Sequence, residues 1–289
     1  MKLKVVLFFT LTLLASSAFA QKEIEGVKNK KFSITTEDVA RKGRFFFYWG
    51  YNRSAYTKSD FHIEGEGYDF TVKDMKATDK PSALTFNNYV ENISIPQYVY
   101  RLGYFINDRV SLSVGIDHLK YYMVPDQTAV VDGYVKPEAS AKYAGEWNDE
   151  EVYVPWNWVW VHHSDGLNYT SVELEYNLPV WISAKKNFYV DVLGNVGGGL
   201  VIPKSYVRVF GEGVDNKFHI AGGGMNLKLG TRFTFWKNFY FEAALKSGYV
   251  WMPNILVDGT STAKANQHFG WTEFFGAVGF SIPLNKNNK

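Results

Sequence analysis

Hydrophobic and polar residues alternate with a period of two on either side of a short polar break at Lys237-Asn238. Before the break, Met225, Leu227, Leu229, Phe233 and Phe235 share one face, and Asn226, Lys228, Arg232 and Thr234 share the other. After it, Phe239, Phe241, Ala243, Leu245, Tyr249 and Trp251 oppose Glu242 and Lys246. Successive side chains of a strand point to opposite faces, so this pattern predicts a hairpin with one apolar and one charged face. Two further breaks, Asn107-Asp108-Arg109 and Lys185-Lys186-Asn187, are flanked in the same way.

The alternation predicts eight strands, at about 44–53, 95–106, 110–124, 168–183, 188–202, 218–236, 239–256 and 267–284. Long loops would then fall at about 54–94, 125–167, 203–217 and 257–266. Residues 61–75, 128–136 and 151–162 also alternate. As hairpins clear of a membrane they leave the count at eight; as further crossings they raise it to ten or twelve, an even number because the chain should start and end on one side.

The same alternation assigns faces. Leu102, Tyr104, Val114, Leu174, Leu178, Val192, Phe274 and Phe280 fall on the apolar face. Arg101, Asp117, Glu173, Glu175, Asp191, Asn195, Asn226, Lys228, Arg232, Glu242, Lys246 and Glu273 fall on the other, six acids and four bases among them. A soluble barrel or sandwich encloses its apolar face. An apolar face shared by every strand, around a charged interior, is instead the pattern of a transmembrane antiparallel up-and-down β-barrel. In an eight-stranded barrel these charges would pair and fill the lumen; in a wider, porin-like one they would line a pore.

The N-terminus fits export. Lys2 and Lys4, the apolar run Val5 to Leu14 and Ala18-Phe19-Ala20 form a signal-peptide pattern over residues 1–20. Residues 21–43 read as a polar periplasmic tail, 44–284 as the barrel and 285–289 as a C-terminal tail. Removing the signal leaves basic and acidic residues equal at 29 each, which gives no pull toward nucleic acid. Aromatic residues make up 17% of the chain, more than a small core needs, and a barrel can place them in lipid and at both interfaces. The chain has no cysteine. The alternating residues Val152, Val154, Trp156, Trp158 and Trp160 predict a one-sided aromatic stripe, either an interfacial belt or a sugar- or lipid-binding face.

With its signal pattern, the strand ends Tyr104-Phe105 and Phe239-Tyr240, the Asn107-Asp108-Arg109 turn and the alternating last strand, the chain resembles small outer-membrane β-barrel proteins of Gram-negative bacteria over about 44–284. It departs from many of them at the end, where Asn285 to Lys289 follow the last strand in place of a terminal aromatic. The resemblance implies export through the inner membrane, the outer membrane as location, and outer-membrane lipid, lipopolysaccharide and the barrel-assembly machinery as partners. Tyr51 to Asp60, with Gly67 to Thr71, is similar to a segment of uncharacterised proteins of this type and predicts a structured first loop.

One stretch carries candidate chemistry. His162-His163-Ser164-Asp165-Gly166 is similar to the H-x-S-N-G stretch of outer-membrane phospholipases and to the H-x-S-N of barrel lipid A deacylases, with Asp165 in place of the Asn. His162 and Ser164 would share the lipid-facing side of a strand, the His taking the Ser proton and Asn168, Glu173 or Glu175 orienting the imidazole. The phospholipase resemblance implies calcium as cofactor; otherwise no cofactor is expected. The other reading of the stretch is a tight turn at Asp165-Gly166 where the chain re-enters the membrane. His162 and His163 point to opposite faces of a strand and so would not share a metal ion, while Asp126, Asp132, Glu138, Glu146, Asp149 and Glu150 offer loop carboxylates for calcium.

Overall fold

The computed structural model describes residues 39–83, 85–92, 96–259 and 263–284. The signal pattern, most of the 21–43 tail and the 285–289 tail lie outside the described residues.

Fifteen strands form one antiparallel sheet system. In chain order they are β1 (Arg44–Tyr56), β2 (Ser59–Gly65), β3 (Tyr68–Met75), β4 (Ala77–Asp79), β5 (Tyr98–Phe105), β6 (Val110–Met123), β7 (Gln127–Val135), β8 (Gly145–Val154), β9 (Val159–Ile182), β10 (Phe188–Pro203), β11 (Tyr206–Val209), β12 (Glu212–Asp215), β13 (Gly222–Phe235), β14 (Phe239–Leu256) and β15 (Lys264–Pro283). Eight of them close a ring in the order β1-β5-β6-β9-β10-β13-β14-β15. The closing pair, β15 on β1, runs from Arg44↔Pro283 to Tyr56↔Trp271. The ring strands meet at one end in the short turns 106–109, 183–187 and 236–238, the turn end; the opposite, loop end carries everything else.

The remaining strands extend the sheet at the loop end. The first residues of β15 pair with β2, which continues through β3 and β7 to β8. The start of β9 pairs with β11, and the end of β6 pairs with β4. The segments 61–75, 128–136 and 151–162 thus build a cap, and the ring stays at eight. Several ring strands are longer than the alternation alone marked out: β9 begins at Val159, not at 168, because its first residues find partners in β11.

Barrel and cap have separate cores. Around the ring, Leu102, Leu112, Val172, Leu174, Leu229, Leu245, Phe274 and Val278 are exposed, while Arg101, Asp117, Glu173, Glu175, Lys228, Arg232, Glu242 and Lys246 are buried on the other face. In the cap, Phe61, Ile63, Phe70, Val72, Met75, Tyr121, Val131, Val161, Val250 and Phe269 are buried together in one apolar cluster. A smaller aromatic cluster of Phe46, Tyr48, Phe105, Tyr240 and Phe275 closes the turn end.

At the end of the polar tail, Val39 is buried against Ile182 and Tyr189, and Arg41 is buried as well. Two expectations need correction. The stripe Val152–Trp160 is not one-sided, because β8 ends at Val154 and the chain turns through Pro155, where the Trp158 N–H donates to the Pro155 carbonyl. Trp158 is thereby buried in the cap core, whereas Trp156 stays exposed. Asp165-Gly166 is not a re-entry turn. It lies inside continuous β9 as a bulge, where the β6 register slips between Leu119 and Tyr121 and Gly166 takes φ +150°. A Cβ there would meet the Phe218 ring at 2.8 Å, so glycine serves both the φ and the close approach.

Candidate functional site

The charged residues inside the ring form two stacked quartets, each of two acids and two bases. In the quartet nearer the cap, Arg101 Nη2 lies 2.7 Å from both Asp117 Oδ2 and Glu173 Oε1, and Lys246 Nζ lies 2.5 Å from the same two oxygens. In the other, Lys228 Nζ is 2.6 Å from Glu175 and 2.8 Å from Glu242, and Arg232 Nη2 is 3.0 Å and 2.7 Å from the same carboxylates. These eight side chains come from β5, β6, β9, β13 and β14 and are almost wholly enclosed. Asn195 and Asn226 donate to Glu173, and Asn177 accepts from Arg232, so the carboxylates and guanidinium gain neutral partners too. Gly197 leaves the room: a Cβ there would stand 2.6 Å from Glu173 Cγ. Each quartet is formally neutral, which is how charges can be removed from water without an uncompensated excess.

Two acids lie outside the quartets. Asp191 pairs with Arg41, whose guanidinium also lies over the Tyr189 ring at 5.1 Å. Its position before the first strand puts Arg41 in the polar tail as far as the sequence goes. The only signal for it was that Val39 and Arg41 are spaced like a strand's inward residues. The cavity left between Arg41, Tyr189, Arg232 and Tyr240 measures about 10 Å³, room for roughly one water. Glu273 is fully buried, and among the described residues neither of its carboxylate oxygens has a hydrogen-bond partner.

The structure brings His162 and Ser164 together and leaves Asn168 apart. Ser164 Oγ lies 2.9 Å from His162 Nδ1 on the outward side of β9. Asn168 Oδ1 instead faces His118 Nδ1 at 2.8 Å, because the β6–β9 register sets Asn168 opposite His118. Glu173 and Glu175 are committed to the quartets inside the wall. His162 therefore lacks the orienting group expected from any of these three. Burial among aromatic rings, with Lys80 nearby, pushes it down to about 4, and so weak a base takes a serine proton poorly near neutral pH. Asp132 and Asp149 both pair with Lys73, and Asp126 accepts the Trp156 N–H, so these loop acids serve the cap's own structure.

His163 points the other way. Its Nε2 meets Gln267 Oε1 at 3.1 Å and its Nδ1 meets Ser205 Oγ at 2.8 Å. The Gln267 amide nitrogen donates to Ser59 and Tyr121, which leaves its carbonyl oxygen to accept. His163 then carries its proton on Nε2, and the Ser205 hydroxyl can donate to Nδ1 of a neutral imidazole. Burial pushes it down to about 4, in agreement with that tautomer.

A closed antiparallel ring with an apolar outer girdle and an ion-paired interior defines a small transmembrane β-barrel. No family model and no curated protein matches the sequence. Among solved structures the chain is similar to the outer membrane protein OprG from Pseudomonas aeruginosa, at 11% identity over 85% of this chain and 98% of that one, with a TM-score of 0.40. It is also similar to the N-terminal β-barrel domain of Pseudomonas aeruginosa OprF, at 11% identity over 84% and 99% of the two chains and a TM-score of 0.31. Neisserial surface protein A matches at 11% identity over 83% and 97%, with a TM-score of 0.33.

Proposed function

We propose that this chain is an outer-membrane barrel with a plugged lumen that holds a folded β-cap at the cell surface, in a structural or surface-interaction role. The turn end faces the periplasm and the cap faces outward, since short turns mark the periplasmic side of such barrels. The observation that supports the reading is a succession of enclosed groups along the interior: Arg41–Asp191 at the turn end, the two quartets above it, and the apolar cap core over them. A lumen so filled offers ions no hydrated path. Outer-leaflet lipid and lipopolysaccharide are its surroundings, and the barrel-assembly machinery inserts it after export.

Recordings in planar bilayers test this. Purified protein should show no stable conductance, and large ion-selective channels would overturn the plug. A second reading, acyl hydrolysis at the outer leaflet, is favoured by the Ser164–His162 contact alone. It is tested by fatty-acid release from phospholipid or lipid A in mixed micelles, with and without calcium. Release that Ser164→Ala and His162→Ala both abolish would establish it, since nucleophile and base act as one unit.

A further inference from the structure

Three adjacent strands place a row of rings on the outward side of the cap. Tyr122 of β6 and Tyr206 of β11 both stand opposite His162 of β9 in the sheet register. The His162 ring stacks on Tyr206 at 4.8 Å and 8°, and on Tyr122 at 5.2 Å and 24°. Trp160, in the next row, meets His162 edge-on at 4.9 Å. A cation sits at each end: Lys80 Nζ lies 3.9 Å from the Tyr122 ring centre, and the Arg208 guanidinium lies 4.4 Å from that of Trp156 and 5.7 Å from that of Tyr206. Among the described residues neither Lys80 nor Arg208 is in an ion pair with a carboxylate. The inward neighbours Tyr121, Val161, His163 and Val207 belong to the cap's interior, so the row stands on the opposite, outward face of the same strands.

The height of the row identifies what faces it. Ile116 is the last apolar outward residue of β6 below His118 and Lys120. Tyr122 lies about 20 Å further along the strand, or about 15 Å once barrel tilt is included. That is beyond the acyl chains and their ester bonds and within the headgroup layer. The rings cover one another's faces and present edges and polar tips at this level, which suits saccharide hydroxyls, and two cations without a carboxylate partner, Arg208 being held by the Tyr206 hydroxyl, suit phosphate.

We propose that the Tyr122–His162–Tyr206 row, with Lys80 and Arg208 at its ends, binds the phosphorylated saccharide headgroup of a glycolipid in the outer leaflet. This rests on the reading of the cap as the outward-facing surface of an outer-membrane barrel. It gives His162 a role in a recognition surface, with its low basicity a consequence of its burial there and of Lys80.

The test uses full-length protein refolded into phosphatidylcholine nanodiscs, with water-soluble, fully deacylated lipopolysaccharide as probe, phosphorylated or enzymatically dephosphorylated. Binding is read by calorimetry, and barrel integrity by heat-modifiable gel migration. Wild type should bind the phosphorylated probe. Tyr206→Ala should weaken binding about tenfold or more, and so should Lys80→Glu combined with Arg208→Glu, two changes on the outward face of the cap and away from the ring of eight strands. The dephosphorylated probe should bind more weakly than the phosphorylated one but still depend on Tyr206. Intact, heat-modifiable wild type that does not bind, or binding unchanged in the charge-reversed variant, overturns the proposal while leaving the barrel reading standing. Equal binding to phosphatidylglycerol nanodiscs without saccharide also overturns it, since charge alone would then suffice. Wild type that shows no heat-modifiable form overturns both.

Discussion

Along β9 a single inward face changes character partway up the strand. From Ser171 to Asn177 the inward residues are Ser171, Glu173, Glu175 and Asn177, all buried and polar. From Val159 to Tyr169 they are Val159, Val161, His163, Leu167 and Tyr169, and apolar or aromatic groups dominate. β6 makes the same change between Asp117 and Leu119. The outer face changes in the opposite sense, from exposed Val172, Leu174 and Tyr176 to the half-exposed Thr170, Asn168 and Ser164. One continuous sheet thus follows two burial rules. Where the solvent is water, apolar side chains leave it. Where the solvent is hydrocarbon, lipid covers the apolar face at no cost, and the ring closes over groups that satisfy one another.

The two halves should respond differently to damage. The largest effect is expected in the barrel. Arg232→Ala leaves Glu175 and Glu242 sharing one base and should cost about 3–5 kcal/mol, read by urea unfolding in lipid. Adding Glu242→Gln should recover part of the loss, and no recovery would mean that the quartet does not act as a charge unit. In the cap, Phe70→Ala removes a fully buried ring and should cost about 3–5 kcal/mol locally. Protease should then cut the cap while the remaining barrel keeps its heat-modifiable migration; loss of both together would dissolve the distinction between the halves.

Acid should loosen the cap before the barrel. His163 is held down to about 4 in the folded cap, against about 6.5 in an unfolded chain. The unfolded state therefore binds the proton first, and stability falls as pH drops from about 6.5 toward 4, by up to about 1.4 kcal/mol per pH unit. His162 is held down in the same sense but is partly open to water, so it adds less. Amide exchange in β2, β3 and β7 should accelerate over that range, and His163→Gln should flatten the profile. The smallest effect is a gain: Glu273→Gln removes a buried carboxyl group that has no hydrogen-bond partner among the described residues and should stabilise the barrel by about 1 kcal/mol. A clear loss on that substitution would show that Lys246, opposite Glu273 in the register, depends on its charge.

Side-chain parity was legible from the sequence, because it follows from the backbone of a single strand and needs no knowledge of its neighbours. It sufficed to put Glu173 with Glu175, Lys228 with Arg232 and His162 with Ser164 on common faces, and the charge of one face implied an inside-out barrel. The short turns were legible for the same local reason. Parity is blind to what lies beyond each face. The segments 61–75 and 128–136 alternate as membrane strands do, and only their pairing with β15 and with each other sets them above the ring. Closure decided which charges meet: Arg41 and Asp191 are 150 residues apart, Lys246 and Asp117 are 129 apart, and their contact is a property of ring radius and register. Register likewise gave Asn168 to His118 and gave His162 two tyrosines from other strands. The alternation along each strand is local chemistry, whereas the partner of each side chain is set by strand order and stagger, which exist only once the sheet has closed.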